Sequence, residues 1–88
     1  MIAPERLHDR EQVFGMVRAA LVELFGLDPR RITPQARLAD DLEIDSIDAV
    51  DLVEHFHRRT GRKLSPEDFR AVRTVGDLAQ AIERLVSL

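Results

Sequence analysis

Asp45-Ser46-Ile47-Asp48 sets a hydroxyl between two carboxylates, beside a large aliphatic side chain, inside the run DDLEIDSIDAVDLV. A serine so placed could be a nucleophile, a point of covalent modification or a helix cap, and paired carboxylate oxygens are suitable ligands for magnesium. Seven acids (Asp40, Asp41, Glu43, Asp45, Asp48, Asp51 and Glu54) stand between Leu38 and His57 with no Lys or Arg among them. The sign then reverses at once, with Arg58, Arg59, Arg62 and Lys63. A strip of this kind steers charged partners at long range, chiefly through the association rate.

Other chemistries fail on residue type or spacing. A calcium loop starting at Asp41 would need Gly where Ser46 stands and a bidentate Glu where Leu52 stands. His55 and His57 are two positions apart on a helical pattern and project away from each other, so they do not share a metal. No His sits in a recognisable nucleophile elbow with Ser46, which argues against a Ser-His-acid hydrolase. The 88 residues contain no Cys, which removes disulfides, Cys-type zinc sites and a thiol nucleophile.

Helices must position these residues. Val13, Val17, Ala20, Leu21 and Leu24 recur at helical spacing, predicting a helix over about 9–25, with Asp9 as N-cap, Gln12 at the capping-box position and Gly26 as the stop. A second helix is expected over 46–60, capped by Ser46, a role worth about 1 kcal/mol, and ended at Gly61. Ser65-Pro66-Glu67-Asp68 opens a short helix over 66–72, and Thr74 caps a fourth over 75–87, with Val75, Leu78, Ala79, Ile82, Leu85 and Val86 inward. Between the first two helices lies a long loop whose isolated apolar residues, Leu27, Ile32, Leu38, Leu42 and Ile44, would peg it to the core. The expected fold is all-α, a small four-helix bundle of three major helices and one short one, forming a single domain over 1–88.

On a helical wheel of the second helix, Ala49, Leu52, Val53 and Phe56 form the core side. Asp48, Asp51, Glu54, His55 and Arg58 fall opposite, around an exposed Ile47, with Val50 at the border. An exposed aliphatic residue ringed by acids suits contact with a partner.

LEIDSIDAVDL, residues 42–52, resembles the attachment motif of acyl carrier proteins, and the resemblance extends from the first helix to Thr74-Val75. It implies that Ser46 receives a 4'-phosphopantetheine arm from coenzyme A and that Asp45 helps position the magnesium used in that transfer. It further implies that Ile47, Asp48, Val50, Asp51 and Glu54 form the surface read by partners. These partners would be a phosphopantetheinyl transferase and acyl-loading, ketosynthase, reductase and dehydratase-type enzymes, with the acyl group held as a thioester. The protein itself would not be an enzyme.

The sequence departs from the common pattern of that family at Glu43, where Gly is frequent, at Ile47 in place of Leu, and in EHFHRRTGRKL, which replaces a strongly acidic run. These departures argue against general fatty-acid synthesis, and the combination of IDSIDAVDL with FRAVRTVGDL resembles dedicated carriers of bacterial specialised pathways, including those for aryl polyenes and unusual acyl chains. Two alternatives remain: an aminoacyl or peptidyl carrier, whose modules more often have a Gly-His-type pair where Ile44-Asp45 stands, and a helical interaction module using the acidic face alone.

The net charge of −3 argues against a nucleic-acid binder. No run approaches the roughly 18 apolar residues needed to span a bilayer, and MIAPERLHDR has no apolar segment of signal-peptide type, so a cytoplasmic monomer is expected.

Overall fold

The computed structural model describes residues 10–86. They form α1 (Arg10–Phe25), a 3-10 turn (Pro29–Arg31), α2 (Ser46–Thr60), α3 (Pro66–Arg70) and α4 (Val75–Val86). The all-α bundle with three major helices and one short one is therefore as expected. Asp9 as a cap, and the last residue of the expected fourth helix, lie outside the described residues.

Helix ends follow the local chemistry. Gly26 (φ +67°) and Gly61 (φ +74°) take the left-handed conformation that closes α1 and α2, and each donates its backbone N–H back to a carbonyl of the last turn. Ser65 accepts from the Asp68 N–H at 3.1 Å, with Pro66 at the first helical position. The short helix ends at Arg70, two residues before the expected end. At α4, Thr74 Oγ1 accepts from the Asp77 N–H at 3.1 Å, while Asp77 Oδ2 accepts from the backbone N–H of Arg73 at 3.1 Å and Thr74 at 3.2 Å.

One apolar core runs through the molecule. Val13, Val17, Ala20 and Leu21 of α1 meet Leu52 and Phe56 of α2 and Val75, Leu78, Ala81, Ile82 and Leu85 of α4. Full burial of a side chain such as Leu52 or Phe56 contributes about 1.5–3 kcal/mol. Leu24, Val53, Ala79 and Val86, expected inside, line the edges of this core half-buried.

The segment from Gly26 to Asp45 is ordered by pegs and stitches. Ile32, Leu38, Leu42 and Ile44 are buried as expected, Leu27 is half-buried, and Ala36 is a further buried peg. The stitches are backbone hydrogen bonds to the start of α4: Leu38 N–H to Arg73 O, Val75 N–H to Ala36 O and Gly76 N–H to Pro34 O, each at 2.9 Å. Arg37 and Thr74 thus form an isolated antiparallel bridge, while the regular elements among the described residues are helical. Gly76 allows the close approach, since a Cβ there would stand 3.0 Å from Pro34 O. Within the segment, Asp41 accepts the Arg37 N–H at 2.8 Å and Ile44 N–H reaches Leu38 O at 2.8 Å, which sets the direction in which the chain enters α2.

The hydrogen bonds from the Arg73 and Thr74 N–H groups hold the Asp77 carboxyl below its usual pKa. Because the folded-state value is depressed, this stabilisation is present above the unfolded-chain pKa and is lost as pH falls through the folded one. Asp77→Ala is therefore expected to lower the urea midpoint most near neutral pH, and the gap from wild type should narrow below about pH 4; a gap independent of pH would contradict this role.

Candidate functional site

The site is built on the first turn of α2. Asp45, in extended backbone (φ −91°, ψ −175°), is the N-cap, and its Oδ1 accepts from Ile47 N–H at 3.0 Å and Asp48 N–H at 2.9 Å. Asp48 reaches back, Oδ2 accepting from Asp45 N–H at 3.4 Å, to complete a capping box. This corrects the expectation that Ser46 caps the helix. Asp and Ser are comparable caps, but an acid three residues after Asp45 closes the reciprocal box, and a carboxylate gains from the positive end of the helix dipole. The D-x-x-D spacing was the available signal. Ser46 becomes the first helical residue, exposed, and its hydroxyl makes no hydrogen bond among the described residues.

The surface beyond it is asymmetric. Ile47 and Val50 are 73% and 62% exposed, the two large apolar side chains most open to solvent among the described residues. Asp51 and Glu54 are exposed beside them and make no ion pair there. Glu43 is exposed in the preceding loop, and the four other acids of the run are committed elsewhere. Asp40 pairs with Arg37 at 3.2 Å, Asp41 holds the Arg37 N–H, and Asp45 and Asp48 form the cap, with Asp48 half-buried.

His55 is also corrected. Expected on the polar side, it is buried at 9% exposure with its ring edge-on to Phe56, centroids 5.5 Å apart. Its azimuth, about 80° from Ile47, lies at the margin of the helix rather than on its outer face. His57 is half-buried.

Two grooves border Ser46. One, of about 660 Å³, runs between α2 and α3 past Val50, Val53, Leu64, Pro66 and Lys63. The other, of about 620 Å³, opens toward Ile44, Val72 and Arg73. Ala49 and Phe69 line both, so Ser46 stands where they meet. Phe69 was not among the expected site residues; no periodicity marks a single aromatic in so short a helix.

The family described as phosphopantetheine attachment site matches residues 16–82. Acyl carrier protein 2 of Ralstonia nicotianae is 43% identical over 76 residues, covering 86% of this chain and 94% of the relative. The chain belongs to the acyl carrier protein family. The acyl carrier protein of Thermotoga maritima is 40% identical over 75 residues, 85% of this chain and 93% of that one. A meromycolate extension acyl carrier protein of Mycobacterium leprae is 33% identical over 76 residues, 86% of this chain and 66% of the relative.

As a member of this family the protein is an acyl carrier and not a catalyst, and its prosthetic group is 4'-phosphopantetheine. It works with a phosphopantetheinyl transferase and with enzymes of acyl synthesis. No helix among the described residues is long and apolar enough to cross a membrane.

The residues at the start of α2 fit that group. A phosphodiester link needs an accessible, uncommitted hydroxyl, and Ser46 has one, as does Thr33 in the long loop, whereas the hydroxyls of Thr60, Ser65 and Thr74 are engaged in hydrogen bonds. The amides of Ile47 and Asp48 are already satisfied by Asp45, so they are not available to a phosphate. No group of three metal-ligating side chains exists among the described residues, and a metal here would need further ligands from outside the chain.

The cap assignment separates two variants that would otherwise look alike. Asp45→Ala should lower stability by about 1 kcal/mol, and Ser46→Ala should stay within about 0.5 kcal/mol of wild type, both measured by urea unfolding. The reverse order would restore Ser46 as the cap.

Proposed function

We propose that Ser46 carries the 4'-phosphopantetheine arm and that Asp45 assists the magnesium ion during its attachment. The observation that carries this reading is an exposed, uncapped Ser46 hydroxyl on the first residue of a firmly capped helix, adjoining two grooves. Asp45 Oδ1 is held by two backbone N–H groups, while Oδ2 makes no hydrogen bond among the described residues and can face a metal brought by the transferase. Once in place, the arm supplies the thiol on which acyl groups are held as thioesters.

Ile47, Val50, Asp51 and Glu54 form the docking surface in this proposal, and Asp48 contributes from its edge while closing the cap. Exposed ion pairs yield only about 0–1 kcal/mol each, whereas burying Ile47 in a partner pocket yields roughly 1.5–3. Charge therefore sets encounter, and Ile47 sets much of the affinity. Ile47 and the basic run after His57 support assignment to a dedicated pathway making specialised acyl chains, acting as a cytoplasmic monomer with loading, ketosynthase, reductase and dehydratase-type enzymes. The acid at Asp45 favours an acyl over an aminoacyl cargo.

Incubation with a phosphopantetheinyl transferase, coenzyme A and magnesium should add one arm to the wild-type chain and none to Ser46→Ala, read by intact mass. An unmodified wild-type chain, under conditions that modify a known carrier, would falsify the assignment. Ile47→Glu should keep wild-type helicity and lower kcat/KM for acyl transfer by a ketosynthase-type partner about 10- to 100-fold. Unchanged kinetics would remove Ile47 from the docking surface.

A further inference from the structure

Three exposed cations close the far end of the α2 surface. Arg58 lies eleven residues after Ile47, about 17 Å along the helix axis and only about 20° away in azimuth, so it continues the line of Ile47, Asp51 and Glu54. Arg59 sits about 100° further round, on the edge marked by Asp48 and His55. Lys63 occupies the other edge, lining the α2–α3 groove with Val50, Val53 and Glu54. The cations thus span the full width of the strip.

None of the three forms an ion pair among the described residues. Favourable placement near the C-terminus of α2 accounts for Arg58 and Arg59 in its last turn, but that effect fades within a turn, and Lys63 lies beyond the Gly61 cap. The surface is continuous with the docking face proposed above, acidic at the attachment end and basic at the far end.

Taking Ser46 as the attachment point, we propose that Arg58, Arg59 and Lys63 select partner enzymes whose docking surface is basic beside the entrance for the carried group and acidic about 17 Å away. Coulomb complementarity at both ends fixes the orientation of the carrier on such an enzyme. A partner with a uniformly basic docking patch meets like charge at the far end and is rejected.

The test offers holo wild type and holo Arg58→Glu/Arg59→Glu/Lys63→Glu to two probes. One is a ketosynthase-type enzyme with a docking patch that is basic throughout; the other is the same enzyme with two basic residues about 17 Å from its entrance changed to Glu. Wild type should favour the altered enzyme by roughly tenfold in kcat/KM at low salt, the reversed carrier should favour the unaltered one, and both preferences should shrink at high salt. The neutral variant Arg58→Gln/Arg59→Gln/Lys63→Gln should show no preference. If all three carriers rank the enzymes alike, or the neutral variant lowers Tm while keeping the wild-type preference, the cations serve the helix alone and the proposal is overturned. Intact mass comes first: a wild-type chain lacking the arm overturns the Ser46 reading itself, whereas modified carriers without a switch overturn only this selection.

Discussion

The carboxylate of Asp45 is the interaction on which the site depends. It takes two backbone N–H groups that the first turn of α2 would otherwise present to solvent, and its own N–H is answered by Asp48. With the helix start so held, Ser46 and Ile47 need do nothing for folding and stay available at the surface. The same commitment means that not every acid in the run is an instrument of recognition. Asp41, Asp45 and Asp48 hold backbone, Asp40 holds Arg37, Glu43 stands exposed in the turn before the helix, and Asp51 and Glu54 are the charges displayed with Ile47 and Val50.

The approach to α2 is as constrained as its start. Ile32, Ala36, Leu38, Leu42 and Ile44 anchor the long segment from below, and the backbone bonds between residues 34–38 and 73–76 tie it laterally to α4. One cost is visible: Glu43 adopts φ +58°, a left-handed conformation that favours glycine and disfavours a side chain. This gives a structural reason for the Gly frequent there in the acyl carrier pattern. The sharp turn at this point lets Ile44 bury itself while the next residue swings out to cap the helix.

Much of this was legible in the sequence because it is local. Gly26 and Gly61 mark helix ends through a left-handed conformation that other residues take only at a cost, Ser65-Pro66 and Thr74 mark starts, and the three-and-four spacing of Val13, Val17, Ala20 and Leu21 marks a buried face. What escaped was decided by competition or by distant partners. Asp45 and Ser46 are adjacent residues of nearly equal capping strength, and only the reciprocal bond from Asp48 separates them. His55 sits at the helix margin, where packing in the folded protein and not its azimuth sets burial. Ala36 carries no periodic signal, and the stitches to α4 use backbone groups, which every residue type shares.

Placing Ser46 inside the first helical turn, and not in the loop before it, has a mechanical consequence. On the proposed attachment at Ser46, the tether is grafted to a rigid rod whose inner side is walled off by the bundle. Its root cannot drift independently of α2, and the volume it sweeps is roughly the half-space above the rod's end. An enzyme that grips the rod has therefore also aimed the tether, without touching it.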